Sequence, residues 1–214
     1  MPRNKQKSAP PTQDLGSEEM KKTILLGAAA LLGLAIAPAA MAQTVTGTVN
    51  VTGSVAAKCV VITGGSGGTF SGSIPLGELA QADGTLSTTL AGSTNASPGG
   101  STQFRVNCNS AAPKVTLSST RLSLTPSAAA PTGYTGDIDY TAALDAALAN
   151  STTQTVSYVT AAALPAATVQ SLSSSLANSA GNLTVKAYAL NTASGALLMA
   201  GNYQSTISIT IEPS

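Results

Sequence analysis

A stretch near the N-terminus alternates between apolar or small residues and polar residues over twelve positions, from Thr44 to Val55. Thr, Asn and Ser occupy every second position. The other positions form a second face, which consists of Val45, Gly47, Val49, Val51, Gly53 and Val55. Successive side chains of a β-strand point to opposite faces, so this pattern predicts one long strand with an apolar and a polar face.

Shorter alternating segments follow, separated by turns rich in Gly, Ser, Asn and Pro. The first two clear ones, 101–109 and 115–119, are expected to form a hairpin-like pair. Pro75 limits 73–79 to an edge strand at best, and the Ala- and Ser-rich stretch 161–180 is expected to be a long connection. Seven or eight strands without a convincing long helix predict an all-β fold, an antiparallel sandwich. The remaining predicted strands are 85–91, 136–144, 152–160, 183–190 and 201–211.

The composition departs from that of an average soluble protein. Only 9% of the 214 residues are charged, whereas 43% are hydrophobic, and the chain has 20 Gly and no Trp. Charged residues usually make up about a quarter of a soluble chain. The net charge is +1, and no cluster of Lys and Arg follows the first 22 residues. The composition therefore favours an extracellular β-protein and argues against a cytosolic enzyme or a nucleic-acid partner.

Residues 20–42 have the three parts of a secretory signal peptide. Lys21 and Lys22 precede an apolar run, and a small-x-small motif ends at Ala42, which predicts cleavage between Ala42 and Gln43. A membrane anchor is the alternative, but the apolar run is shorter than the roughly 20 residues that span a bilayer. Residues 1–19 are polar and rich in Pro and charge, and we interpret them as a disordered extension or an over-extended gene start.

The two cysteines of the chain, Cys59 and Cys108, both follow the predicted leader. Export makes a disulfide the expected state of such a pair. Two free thiols or a metal pair are the alternatives, but a zinc site would lack its usual His partners because the chain has no His.

Residues for catalysis are scarce. Without His, a Ser triad of the usual kind is impossible. Asp137 and Asp139 would share one face of a strand and could form an acid pair or part of a calcium site. No loop dense in Asp and Asn surrounds them, so we interpret them as solvated charges. We expect no enzyme, no catalytic residues, no metal site and no cofactor.

Three features of the sequence carry a family resemblance. The alternating stretch TVTGTVNVTGSVAAKC follows the leader, a second Cys ends a strand that reads FRVNC, and the chain closes on AGNYQSTISITI. Together they resemble the spore coat protein U family and the related pilin subunits of archaic chaperone–usher pili. The resemblance covers most of the chain after the leader, but its two ends and the Cys pair carry it.

The resemblance implies an incomplete immunoglobulin-like, pilin-type sandwich over 56–214, preceded by a donor strand at 43–55. Such a domain lacks its last strand, and the inserted strand of a neighbour fills the resulting groove. The residues expected to insert are Val45, Gly47, Val49, Val51, Gly53 and Val55. The expected walls of the groove are the strand that begins near Ala56 and the C-terminal strand, through Tyr203, Ile207, Ile209 and Ile211.

The implied function is that of a structural subunit of an extracellular fibre, active in surface attachment and biofilm. The implied partners are a periplasmic chaperone, an outer-membrane usher and neighbouring copies of the same or related subunits. The implied location is the surface of a Gram-negative bacterium, reached through the periplasm. The alternative is a self-contained secreted coat or surface protein that does not polymerise. A third possibility, an adhesin, would normally need an additional lectin domain.

Overall fold

The structure is a computed structural model that describes residues 45–91 and 101–214. The predicted leader, the extension before it and the cleavage pair Ala42 and Gln43 lie outside the described residues and remain predictions.

The chain divides into two units, Met1–Val51 and Thr52–Ser214. The described part of the first unit, 45–51, has no regular secondary structure. The second unit holds every helix and strand described below. These elements are β1 Cys59–Thr63, β2 Gly65–Ser66, β3 Thr69–Phe70, α1 Thr88–Ala91, β4 Thr102–Cys108, β5 Lys114–Ser119, β6 Leu122–Thr125, β7 Tyr134–Thr135, β8 Asp137–Ala147, β9 Thr153–Val159, β10 Thr168–Ser171, β11 Leu183–Asn191, β12 Leu197–Leu198, β13 Asn202–Gln204 and β14 Ile207–Glu212.

Two main sheets form the described part of the second unit, and the pairs β2-β3 and β7-β12 form two small additional sheets. The larger one has seven strands in the order β1-β4-β11-β8-β6-β13, with β9 paired to β8 beside this path. The smaller one has the order β10-β5-β14. All these pairs are antiparallel, whereas the short pair β7 and β12 is parallel. The predicted all-β antiparallel sandwich is confirmed.

The core consists of two apolar clusters. In the first, Leu117 of the smaller sheet packs against Leu144 and Leu183 of the larger sheet, and all three are fully buried. Each such side chain stabilises the fold by roughly 1.5–3 kcal/mol. The second cluster surrounds Ile138 and Leu190. Ile138 and Leu144 belong to different clusters but lie on the same face of β8, because every second side chain of a strand faces inward.

A two-stranded ribbon connects the sheets. β5 continues into β6, and β13 continues into β14, so that β5 pairs with β14 in one sheet and β6 with β13 in the other. The ribbon bends where Thr120 lies opposite Thr206. The Thr120 N–H donates to the Thr206 carbonyl at 3.1 Å, and the Thr206 N–H donates to Thr120 Oγ1 at 3.0 Å. Strands that switch sheets in this way make the corners of sandwiches.

Side chains rather than a backbone ladder join the sheets at the β9 and β10 edges. Gln154 on β9 donates to the Ser171 carbonyl at 3.1 Å and accepts from the Ser173 N–H at 2.8 Å. Thr168 on β10 donates to the Ser157 carbonyl at 3.0 Å. This side of the sandwich is therefore closed by a few polar side chains.

The predicted opening strand is not formed. Residues 45–58 have no regular secondary structure. The alternation is that of a strand, but strand backbone groups need a partner for their hydrogen bonds. None of the described strands includes this segment.

The predicted hairpin of 101–109 and 115–119 is also wrong, although both strands exist as β4 and β5. They lie in different sheets, because the segment between them is held at both ends by different elements. Asn109 accepts from the Lys58 N–H at 2.7 Å, next to β1. The Pro113 carbonyl accepts from the Leu172 N–H at 2.8 Å, next to β10.

Three other expectations need correction. The strand predicted over 85–91 is replaced by isolated bridges and the short helix α1. The connection predicted over 161–180 contains β10, which pairs with β5. The single strand predicted over 201–211 is two strands, β13 and β14, which belong to different sheets. The predictions for 136–144, 152–160 and 183–190 are confirmed by β8, β9 and β11.

Candidate functional site: an apolar groove beside the C-terminal strand

The second unit contains a groove of about 1250 Å³. One wall is the segment 71–80, which we call the strap, and the other wall runs from Leu198 to Ile207 and on to Ile209. The floor is the inner face of the larger sheet. It consists of Thr102, Phe104, Leu122, Tyr140, Val185 and Ala187.

The C-terminal wall carries a row of half-buried side chains. They alternate with exposed residues through β13 and β14, and the row consists of Tyr203, Ser205, Ile207, Ile209 and Ile211. β14 pairs with β5 along one edge, and no described strand pairs with its other edge. An unpaired edge presents free N–H and C=O groups, which are a template for another strand.

The strap belongs to no strand, although its side chains alternate in exposure around Pro75. Ile74 and Leu76 are half-buried, whereas Ser73, Pro75 and Gly77 are exposed. No backbone–backbone hydrogen bond involves residues 72–78 in the described chain. Pro75 has no N–H to donate, and Gly77 has φ +75°, a conformation that favours glycine.

Ile74 and Ile207 face the groove from opposite walls, and each packs against both core clusters. The groove thus runs along the boundary between the two clusters. A side chain that entered it between these two residues would gain apolar contacts on both sides.

Aromatic rings form one end of the groove. Phe70 and Phe104 pack with their centroids 4.6 Å apart. A Cβ atom at Gly72 would lie 2.9 Å from the Phe104 ring and 2.6 Å from Thr102 Oγ1. Glycine at position 72 therefore lets the backbone pass close to the rings and lead into the strap.

Hydroxyl groups interrupt the apolar lining beside the bend of the ribbon. The phenol of Tyr140, a residue that is 4% exposed, contacts the hydroxyl oxygens of Ser119 and Ser205, the latter at 2.6 Å. Ser205 also donates to the Thr120 carbonyl at 2.8 Å. These bonds satisfy a buried hydroxyl whose burial would otherwise cost free energy.

Tyr203 lies toward the other end of the groove. Its hydroxyl donates to the Met199 carbonyl at 2.9 Å. Burial raises the pKa of the Tyr203 phenol, the bond to Met199 opposes this, and the nearby charge of Asp137 adds to the increase. The neutral phenol is therefore the favoured form in the folded chain.

The predicted inserting residues include four large apolar side chains that are almost fully exposed. Val45 is 89% exposed, Val49 85%, Val51 93% and Val55 83%. An added Cβ at Gly47 or Gly53 would meet nothing within 4 Å.

The outcomes for the other predicted site residues differ. Cys59 and Cys108 form the predicted disulfide, and they lie opposite each other on β1 and β4. Tyr203, Ile207 and Ile209 line the groove. The predicted member Ile211 packs on the first core cluster. The second wall is the strap instead of the predicted strand near Ala56.

Asp137 and Asp139, which were expected to be solvated charges, are partly exposed and are also ion-paired. Arg121 binds Asp139 with two nitrogens, at 2.7 and 3.1 Å, and Asp137 at 3.2 Å. This ion-paired cluster lies at the bend of the ribbon. Sequence spacing gave no sign of it, because Arg121 is remote from both acids along the chain.

The strap and the Tyr140–Ser205 contact are the groove features that sequence reasoning missed. The alternation of Ile74 and Leu76 was visible, but Pro75 and Gly77 weakened it as a strand signal. Ser205 had the right spacing to share a face with Tyr203 and Ile207, although its polarity concealed this.

The described residues contain no group of three or more acidic or Cys side chains that could hold a metal ion. No helix among them is both long and apolar enough to cross a membrane. In comparisons with models of protein families, with curated proteins and with solved structures, nothing matches this chain. The family resemblance therefore rests on the sequence motifs given above.

Proposed function

We propose that this chain is a structural subunit of an extracellular fibre, in which residues 45–55 of one copy fill the groove of the next. The observation that supports this most directly is the groove itself, which carries apolar side chains on its floor and on both walls and is bordered by the unpaired edge of β14. Main-chain hydrogen bonds to such an edge give affinity, and alternate side chains fill the adjoining depression.

The length of the segment suits the half-buried row that begins in the groove wall and continues past it to Ile211. The segment 45–55 has 11 residues and would span about 36 Å when extended. The half-buried row from Tyr203 to Ile211 covers nine residues, or about 30 Å. One pass of the segment is therefore long enough to follow the whole row.

The side chains of the segment also suit insertion into the groove of a second copy. Its four exposed valines, at positions 45, 49, 51 and 55, are separated by even numbers of positions, as a strand needs if it is to place them all on one face. Burying four Val side chains would stabilise the complex by several kcal/mol before the costs of association. Insertion of one copy into the next does not close on itself, so it produces a filament.

The proposal extends to the route of assembly. The leader-like residues 20–42 and the disulfide agree with export through an oxidising compartment. A groove with an unpaired edge is an aggregation hazard, so a periplasmic chaperone would cover it until an outer-membrane usher joins the subunits. Surface attachment and biofilm formation are the corresponding cellular roles.

The test places two charges on the apolar face of the segment. Val49→Asp combined with Val51→Asp should abolish fibres in producing cells, as seen by electron microscopy, because unpaired carboxylates are costly to bury. The matched control is Thr48→Asp combined with Asn50→Asp, which adds the same charge to the polar face. The control should still form fibres.

Thermal unfolding of both purified variants distinguishes a fibre subunit from a self-contained coat protein. A donor segment contributes nothing to the monomer, so both variants should unfold at the temperature of the natural chain. Selective destabilisation of the Val49→Asp and Val51→Asp monomer would mean that the segment fills its own groove, and the protein would then be a self-contained coat protein.

A further inference from the structure

The apolar face of the segment 45–55 is a palindrome. In either direction it presents Val, Gly, Val, Val, Gly and Val. If the segment occupies the groove of a second copy, as proposed above, the order of its side chains does not depend on the direction in which it runs. The alignment of segment and wall can therefore be derived before the direction is known.

The row that faces this segment contains one polar member. Its order along the wall is Tyr203, Ser205, Ile207, Ile209 and Ile211. Ser205 stands over Tyr140, and the two hydroxyl groups contact each other at 2.6 Å. The groove lining extends to Ile209, so Ile211 lies beyond it.

One alignment pairs apolar with apolar residues throughout the groove. Residues directly opposite on neighbouring strands place their side chains on the same face. When Val49 and Val51 lie opposite Ile207 and Ile209, in either order, a glycine falls opposite Ser205. That glycine is Gly53 in the antiparallel arrangement and Gly47 in the parallel one.

In the same alignment a valine falls opposite Tyr203, and the second glycine falls opposite Ile211, outside the groove. A shift by two residues in either direction places a valine on Ser205 and a glycine on Ile207 or Ile209. Such a shift would cover the hydroxyl groups with an apolar side chain and leave an isoleucine of the groove uncovered.

Two physical features favour glycine opposite Ser205. A valine there would press a branched side chain against Ser205 and Tyr140, whose hydroxyl groups are already engaged with each other and with Ser119. The ribbon also bends between β13 and β14, at Ser205 and Thr206. A strand that follows this edge must bend with it, and glycine within a strand often marks such a bend or a close backbone approach.

We propose that Ser205 and Tyr140 form a glycine-selective position in the groove, and that this position fixes the register of the inserted segment. It takes Gly53 if the segment runs antiparallel to β14, and Gly47 if it runs parallel. The glycine at the other end of the palindrome faces Ile211 and tolerates a larger side chain.

The experiment uses synthetic peptides of residues 43–57 that carry a fluorescent label, and it measures their dissociation constants on the purified full chain. The variants are Gly47→Val and Gly53→Val, and the control is Thr48→Val, which adds an apolar side chain to the polar face. One glycine variant should bind about tenfold more weakly or worse, because extra bulk forced into a packed site destabilises the complex. The other variant and the control should stay within about threefold of the natural peptide, since neither adds bulk inside the groove.

The identity of the sensitive glycine then gives the direction of the strand. Equal effects of the two glycine substitutions, both small or both large, would overturn the proposed register, and so would an equally weak Thr48→Val control. If the natural peptide itself fails to bind, the proposed fibre function fails with it. Binding of the natural peptide without glycine selectivity would leave the fibre function standing and reject only the register.

Discussion

At the scale of single residues, Asn182 belongs to a sequence motif that is typical of exposed loops, but it has a structural role in the interior. Asn182-Leu183-Thr184 is one of the sequence's Asn-x-Thr motifs, yet Asn182 is only 1% exposed. Its side-chain nitrogen donates to the carbonyls of Val106 and Ala177, both at 2.7 Å, and its oxygen accepts from the Val106 N–H at 3.0 Å. The side chain therefore replaces a backbone partner between β4 and the turn before β11.

Replacing this side chain should be costly. Asn182→Ala leaves one N–H and two carbonyls of the backbone without their partner, so we expect a loss of about 2–4 kcal/mol in the free energy of unfolding. Denaturant unfolding measures it. Asn107→Ala, at an exposed position on β4, is the matched control and should change the free energy by less than about 0.5 kcal/mol. Similar values for both variants would contradict the role given to Asn182.

Tyr203 provides a test that depends on pH. Its pKa is raised in the folded chain, so folding favours the neutral phenol, and this contribution is fully present below the unfolded pKa of about 10. The contribution is lost as the pH rises through the higher folded value. The free energy of unfolding should therefore fall more steeply above pH of about 10 in the natural chain than in Tyr203→Phe.

Alkaline denaturant titrations of both chains measure this difference. Tyr188→Phe is a suitable second variant, since the Tyr188 side chain does not line the groove. Parallel curves of unfolding free energy against pH for the natural chain and Tyr203→Phe would contradict the raised pKa of the Tyr203 phenol. They would mean that the groove wall does not shield this phenol from water.

At the scale of elements, periodicity predicted the strands that have a strict alternation. β8, β9 and β11 were found because their inward positions are filled by residues such as Ile138, Val156 and Val185. β10 was missed, since its four residues, Thr168–Ser171, contain a single apolar residue, and its place in the sheet depends on its pairing with β5. Pairing partners are properties of the folded chain that a local pattern does not contain.

The candidate site was predictable only in part for the same reason. The C-terminal row was visible in the sequence, but the break at Ser205 and Thr206 was not, because alternation continues without interruption across it. The sequence did not predict that the strap forms a wall of the groove, because Pro75 and Gly77 are poor strand residues. The strap forms a wall because Phe70 and Gly72 lead the chain past Phe104, a contact between segments far apart in sequence.

At the scale of the whole molecule, the disulfide closes a long loop. Cys59 and Cys108 are separated by 49 positions, and the loop contains the strap and β4. Reduction should lower the free energy of unfolding by about 4 kcal/mol on the chain-entropy model. Denaturant unfolding with and without a thiol reductant measures this. The double variant Cys59→Ala with Cys108→Ala should resemble the reduced chain and be insensitive to the reductant.

The position of the disulfide also has a mechanical consequence. In the proposed fibre, tension would enter each subunit through the anchored segment and reach Cys59 four residues after Val55. From Cys59 the covalent bond passes the load directly to Cys108, so the chain between the two cysteines cannot be pulled out. That shielded length includes the strap, one of the two walls that hold the neighbour's segment. A pull on the segment of a subunit would thus not draw the strap of that subunit out of the fold through its own backbone.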